Sequence, residues 1–107
     1  MKLEPTKELK RRFAELGDQD DKGDEAIVVC KYFTPWSNWT WYCLSYTPED
    51  RTFFGLVEGF ETEFGYFSLE ELEEIKGPAG LRIERDLYWK ERKIGEVRAS
   101  LESGIRP

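Results

Sequence analysis

Residues 26–46 read AIVVCKYFTPWSNWTWYCLSY, and the fold turns on this stretch. Two runs rich in β-branched and aromatic residues, Ala26 to Thr34 and Trp39 to Tyr46, flank Pro35, which stops the first run. The pattern predicts a hairpin with residues 35–38 as its loop. Thr34 then faces Trp39, Tyr32 faces Trp41, Cys30 faces Cys43 and Val28 faces Ser45. The opposite side carries Ile27, Val29, Lys31 and Phe33 against Thr40, Tyr42, Leu44 and Tyr46. Neither side is plainly polar, so the hairpin is expected inside a sheet covered, at least in part, on both faces.

Working outward, Thr47-Pro48-Glu49-Asp50 supplies a turn, Thr52 to Gly59 a third strand and Glu63 to Phe67 a short fourth. Gly55, Gly59 and Gly65 disfavour a strand by propensity, and are expected to mark bulges or close packing beneath aromatic neighbours. Ser68 with Glu71 three residues later is a capping box; Leu69, Leu72 and Ile75 form the apolar stripe of a helix expected to end at Gly77-Pro78. Thr6 caps an earlier helix carrying Leu9, Phe13 and Leu16 and ending at Gly17, and Ile94, Val97 and Leu101 mark a last helix ending near Gly104. Asp18 to Glu25 reads as a solvated acidic loop, and Leu81 to Asp86 as extended. The resulting expectation is one α+β domain over residues 1–107: a four-stranded antiparallel meander, with a short fifth strand near Ile83, packed by three helices.

Composition narrows the function. The chain has 107 residues, 39% hydrophobic and 15% aromatic, which suits one packed core. Its net charge of −6 opposes non-specific duplex DNA binding, which draws on Lys and Arg displacing counterions. A solvated acidic surface is the plain explanation; an acidic face imitating nucleic acid is the sharper one. No apolar run spans a bilayer, and Met1-Lys2-Leu3-Glu4-Pro5 lacks the apolar region of a secretory leader, so a cytoplasmic location is expected, without membrane contact. In that setting Cys30 and Cys43 are expected as thiols packing like small hydrophobes, and the Asn38-Trp39-Thr40 sequon is accidental.

The absence of histidine removes Ser-His and Cys-His nucleophile activation and the usual zinc sites. Asp18-Gln19-Asp20-Asp21-Lys22-Gly23 opens like a calcium-binding loop, but Lys22 stands at the fifth position and Val29 at the twelfth, where a bidentate Glu is needed. No cofactor or metal is expected. Glu58 and Glu63, nearly opposite across a short connection with Glu61 at its tip, form the best chemical candidate, and Glu84-Arg85-Asp86 offers balancing charge. Trp36 and Trp39, with Trp41 and Tyr32, present aromatic surface on which single-stranded bases would stack, although Lys31 is the only base near them in sequence. Core packing is the plainer reading of these rings.

Five runs carry a family resemblance: Val28 to Pro35, Thr40-Trp41, Phe54-Gly55-Leu56, Glu63 to Leu72 and Gly80 to Asp86. In order and spacing they resemble the bacterial family called domain of unknown function 2958, over nearly the whole chain. That family has no established activity. The resemblance implies a small cytoplasmic protein carried by plasmids, phages or other mobile elements, sometimes near conjugation or anti-restriction genes. Its pattern includes Lys31, Thr34-Pro35, Trp41, Glu63 and Glu84-Arg85-Asp86, and has an aspartate near the position of Glu58. Cys30, Cys43, Trp36 and Trp39 fall outside it.

Three functions follow as expectations. The preferred one is a non-catalytic interaction module with a protein partner, its binding residues drawn from Lys31, Thr34, Trp41, Glu58, Glu63, Glu84, Arg85 and Asp86. The first alternative is a carboxylate enzyme or cation binder using Glu58, Glu63, Glu84 and Asp86, with Arg85 orienting an anionic group; it requires convergence in one pocket. The second is single-stranded nucleic acid binding through Trp36, Trp39 and Tyr32.

Overall fold

The computed structural model describes residues 3–107; Met1 and Lys2, part of the leader reading, lie outside the described residues. The hairpin forms in the expected register. Strands β2 (Cys30–Phe33) and β3 (Thr40–Thr47) pair Cys30 with Cys43, Lys31 with Tyr42, Tyr32 with Trp41 and Phe33 with Thr40. Thr34 N–H closes the ladder on the Trp39 carbonyl at 3.0 Å.

Two departures from strict alternation shape the sheet. A bulge at Leu44 lies between the Cys43–Gly55 and Ser45–Phe54 pairs, so Tyr46 joins Phe53 on the face of Cys43 rather than following Tyr42. At Val29 the first run breaks. Ile27–Val28 becomes a separate strand, β1, and Val28 pairs with Arg92 of β7 (Arg92–Lys93) instead of Ser45. Val28 packs with Tyr42 while Val29 and Cys30 pack with Tyr32, so the chain changes faces there.

Strands β4 (Thr52–Glu58) and β5 (Thr62–Ser68) continue the meander, and β6 (Glu84–Arg85) adds antiparallel to the free edge of β2. The order is β5-β4-β3-β2-β6, five strands with β1-β7 as a separate ribbon. The fifth strand was expected; the ribbon was not, because two-residue strands leave no period to read. Gly59 lies directly beneath Trp39, where a Cβ would fall 2.4 Å from the indole. At Gly55 a Cβ would meet the Tyr42 carbonyl at 1.9 Å, next to the bulge. Gly65 has open space around it, so the expected crowding is absent there.

Helices cover both faces. Thr6 caps α1 (Lys7–Leu16) by accepting from Leu9 N–H, and Ser68 and Glu71 close the capping box of α2 (Leu69–Glu74). These two helices cover the face of Tyr32, Trp41, Phe53 and Phe67, burying Phe13, Leu69 and Leu72. Helix α2 stops at Glu74 instead of reaching Gly77, because Lys76 bridges to Arg82, Gly77 N–H bonds to the Leu81 carbonyl and Trp36 seats on Gly77. Helix α3 (Ile94–Glu102) lies on the other face, where Ile94 and Val97 join Val28, Tyr42, Leu44 and Leu56.

The acidic loop is not wholly solvated. Gln19 is 1% exposed, donates from Nε2 to the Leu44 and Ile27 carbonyls at 2.6 and 2.8 Å, and accepts from Ile27 N–H at 2.8 Å. It satisfies the backbone that the bulge takes out of the ladder. Cys30 and Cys43 are buried free thiols, and burial raises the Cys43 pKa. Among the described residues, no helix is long and apolar enough to cross a membrane.

Candidate functional site

Pairing places Lys31, Tyr42, Thr40 and Glu58 on one face of the sheet, since residues directly opposite in a ladder share a face. Helix α3 covers only the apolar part of that face, around Leu44 and Leu56. Beyond it the face turns polar, and the loops after β6 and α3 close over it.

Lys31 is the centre. Its ammonium is 3.7 Å from Asp86 Oδ2, lies over the rings of Trp89 and Tyr42 at 5.5 and 5.9 Å, and donates to the Pro107 carbonyl at 2.9 Å. Two features hold this arrangement. Asp86 N–H bonds to the Lys31 carbonyl, and Asp86 Oδ1 accepts from Tyr88 N–H in an Asx turn. Trp89 is anchored by its Nε1–H to the Val28 carbonyl at 3.0 Å. Burial lowers the Lys31 pKa; Asp86 opposes that shift and Arg106 adds to it.

Arg106 covers the other half. Its guanidinium donates to Thr40 Oγ1 at 3.0 Å, to the Asn38 carbonyl at 3.4 Å and to Glu58 Oε2 at 3.4 Å. Beneath it the Tyr42 hydroxyl and Glu58 Oε1 are buried without hydrogen-bond partners. Burial, with the Glu58 charge second, pushes the Tyr42 phenol up to about 12; the phenol stands close enough to Glu58 and Thr40 to feel both as weak hydrogen-bonding neighbours, but at a separation or angle outside an ordinary hydrogen bond. A cleft of about 360 Å³ opens beside Lys31, Asp86 and Arg106, with Thr34, Asn38 and Thr40 on its wall.

The residues singled out from sequence divide. Lys31 and Asp86 pair here, Glu58 stands on the same face under Arg106, and Thr34 lines the cleft while its Oγ1 also ties Ser37 to Trp39 in the hairpin loop. Glu84, paired with Phe33, stands exposed at the edge of the same face. Trp41, Glu63 and Arg85 face the opposite way, opposite Tyr32 or Val57 in the ladders.

Glu63 pairs with Val57, not Glu58, whose partner is Thr62; the one-residue offset sends Glu58 and Glu63 to opposite faces. Glu63 also sits on β5 and Glu84 on β6, the two outer strands of five, about 19 Å apart at the usual strand spacing. The convergence required of a four-carboxylate centre is therefore absent. Among the described residues, no three His, Cys, Asp or Glu side chains group as metal ligands.

The aromatic platform loses Tyr32 but keeps its three indoles together. Tyr32 is wholly buried, its hydroxyl donating to the Leu3 carbonyl, and Trp36 and Trp39 rest on Gly77 and Gly59. Together with Trp41 and Ile75 the two indoles line a separate hollow of about 290 Å³.

Tyr42, Trp89 and Arg106 were not singled out as site residues from sequence. Tyr42 carried a usable signal, because the predicted register places it beside a lysine on an inward face. Arg106 carried none, since its position depends on how the chain turns after α3.

An antiparallel five-stranded sheet with helices on both faces and one polar end defines a small α+β domain. The chain belongs to the family described as protein of unknown function DUF2958, whose model matches residues 4–98. No curated protein and no solved structure matches it.

Proposed function

We propose that this protein is a non-catalytic interaction module, carried by a mobile genetic element in an accessory or defence-evading role, that holds a protein partner at the cleft lined by Lys31, Thr40, Asp86 and Arg106, next to the buried Tyr42 and the half-buried Glu58. One observation carries the reading. A lysine 7% exposed stands beside a buried tyrosine hydroxyl and a buried carboxylate oxygen, neither of which has a hydrogen bond. Folding alone disfavours each of these, and the two unpaired atoms cost on the order of 1–3 kcal/mol apiece, so their presence at one cleft points to a ligand that completes them.

Interaction is favoured over catalysis because the carboxylates of the enzymatic reading are split between faces and edges, and the chain has no histidine. It is favoured over single-strand binding because Tyr32 is inaccessible and the net charge is −6. The mobile-element setting rests on the family resemblance alone.

Affinity capture from a bacterial host tests the reading with wild type, Lys31→Met and Glu63→Gln, the last on the opposite face. The expected result is a partner retained by wild type and Glu63→Gln and reduced at least tenfold, on the order of 1.4 kcal/mol, by Lys31→Met. Equal recovery by all three overturns it.

A further inference from the structure

The segment after α3 supplies one wall of the cleft and hydrogen-bonds to the polar end of the sheet face beside it. Ile105 is tied to the helix end by N–H to the Ser100 carbonyl and by its carbonyl accepting from Ser100 Oγ, 2.9 and 2.7 Å. From there Arg106 reaches Thr40, Asn38 and Glu58, and the Pro107 carbonyl accepts from Lys31. Ile105 itself is 64% exposed, so the segment is held by its polar groups and not by burial of an apolar anchor.

That grip is loose. The Arg106–Glu58 pair spans 3.4 Å with side chains 43% and 20% exposed, and pairs of this kind contribute little in water. Glu58 Oε1 and the Tyr42 hydroxyl stay unpaired beneath it. The segment therefore covers Glu58 and Tyr42 without completing them, and the open cleft lies beside it with Arg106 as one wall. The segment also lies beyond the matched family residues, 4–98, whereas Lys31, Thr40, Tyr42, Glu58 and Asp86 lie within them.

Resting on the interaction reading above, we propose that the cleft receives an extended, arginine-bearing peptide segment of the partner, and that residues 103–107 are a built-in competitor for the same place. The guanidinium of such a segment, free of the turn after α3 that holds Arg106, takes both Glu58 oxygens, including the Oε1 that Arg106 leaves unpaired, with Thr40 Oγ1, and a following backbone carbonyl takes Lys31. A net charge of −6 draws basic segments to the protein before contact. A tethered competitor acts at an effective concentration in the millimolar range, so weakening it raises apparent affinity for an outside segment by on the order of tenfold.

The test uses the full chain as wild type, Arg106→Ala, and Arg106→Ala with Glu58→Gln. The probes are the blocked pentapeptides Ser-Gly-Ile-Arg-Pro and Ser-Gly-Ile-Ala-Pro, followed by tryptophan fluorescence and NMR shifts. Near-ultraviolet circular dichroism checks the fold. The arginine peptide should bind Arg106→Ala about tenfold more tightly than wild type, the alanine peptide should not show that gain, and Glu58→Gln should abolish it. Equal binding to wild type and Arg106→Ala, equal binding of both peptides, or indifference to Glu58→Gln overturns the inference. If capture of a partner still depends on Lys31 while the peptides fail, the ligand class falls and the module reading stands. If the peptides behave as expected but no captured partner depends on Lys31, the inference holds and the module reading falls.

Discussion

The two faces of the same sheet are finished differently. On one, Tyr32, Phe53 and Phe67 are sealed beneath α1 and α2; Phe53 alone meets four rings, Phe13, Tyr32, Tyr46 and Phe67, at 4.7–6.0 Å between centroids. The polar atom buried there at Tyr32 has a partner in the Leu3 carbonyl. On the other face the apolar packing under α3 gives way to Lys31, Tyr42 and Glu58, with a short strap over them and two polar atoms left unpaired. The difference teaches where stability and binding divide. The sealed face pairs its buried polar atom, whereas the open end of the other face leaves two buried polar atoms without an ordinary hydrogen bond.

The largest expected break in this comparison is Phe53→Ala. Removing a ring in contact with four others should destabilise by about 3–5 kcal/mol in chemical denaturation, well above any single change at the cleft. A loss under about 1 kcal/mol would mean that the sealed face does not carry the fold.

Gln19→Leu comes next. It leaves the Leu44 and Ile27 carbonyls and Ile27 N–H without their side-chain partner, and should cost about 2–3 kcal/mol. Faster amide exchange at Ile27 should accompany the loss.

The smallest effect belongs to the open face. Tyr42→Phe removes a buried hydroxyl that has no partner, so stability at neutral pH should stay within about 1 kcal/mol of wild type and shift upward if it moves at all. A loss of 2 kcal/mol or more would show that the hydroxyl is already satisfied. The same variant sharpens the comparison at alkaline pH. The phenol is raised from 10.0 to about 12 in the fold, so the folded protein keeps a proton that the unfolded chain releases. Its contribution is complete below pH 10 and is lost as pH rises from 10 towards 12. Wild-type stability should therefore fall across that window, and Tyr42→Phe should fall less steeply. Tyr32, Tyr46 and Cys43, each raised by burial, contribute to the fall that remains.

Much of the scaffold was legible because local chemistry specified it. Thr6, Gly17, Ser68 and Glu71 set helix ends through groups within a few residues. The hairpin register from Cys30–Cys43 to Thr34–Trp39 followed from one proline and an aromatic alternation. The capping box did not reveal where α2 ends, since that depends on Trp36, distant in sequence, lying against Gly77. The candidate site was half legible. Lys31, Glu58 and Asp86 were named from sequence and share one face, with Lys31 and Asp86 in contact; Glu63 was named with them and lies on the other, because a one-residue register offset reverses its face.

The sequence by itself determined the N-terminal caps of α1 and α2, the order of the four meander strands and the pairing of the central hairpin, since each depends on residues close along the chain. Tertiary structure alone decided that Lys31 and Glu58 stand at one polar end of the sheet face, that Gln19 repairs the bulge and that Arg106 reaches Thr40 and Glu58. Those contacts join residues separated by 25 positions or more, and they depend on strand register and the path of a loop, to which composition and periodicity are blind.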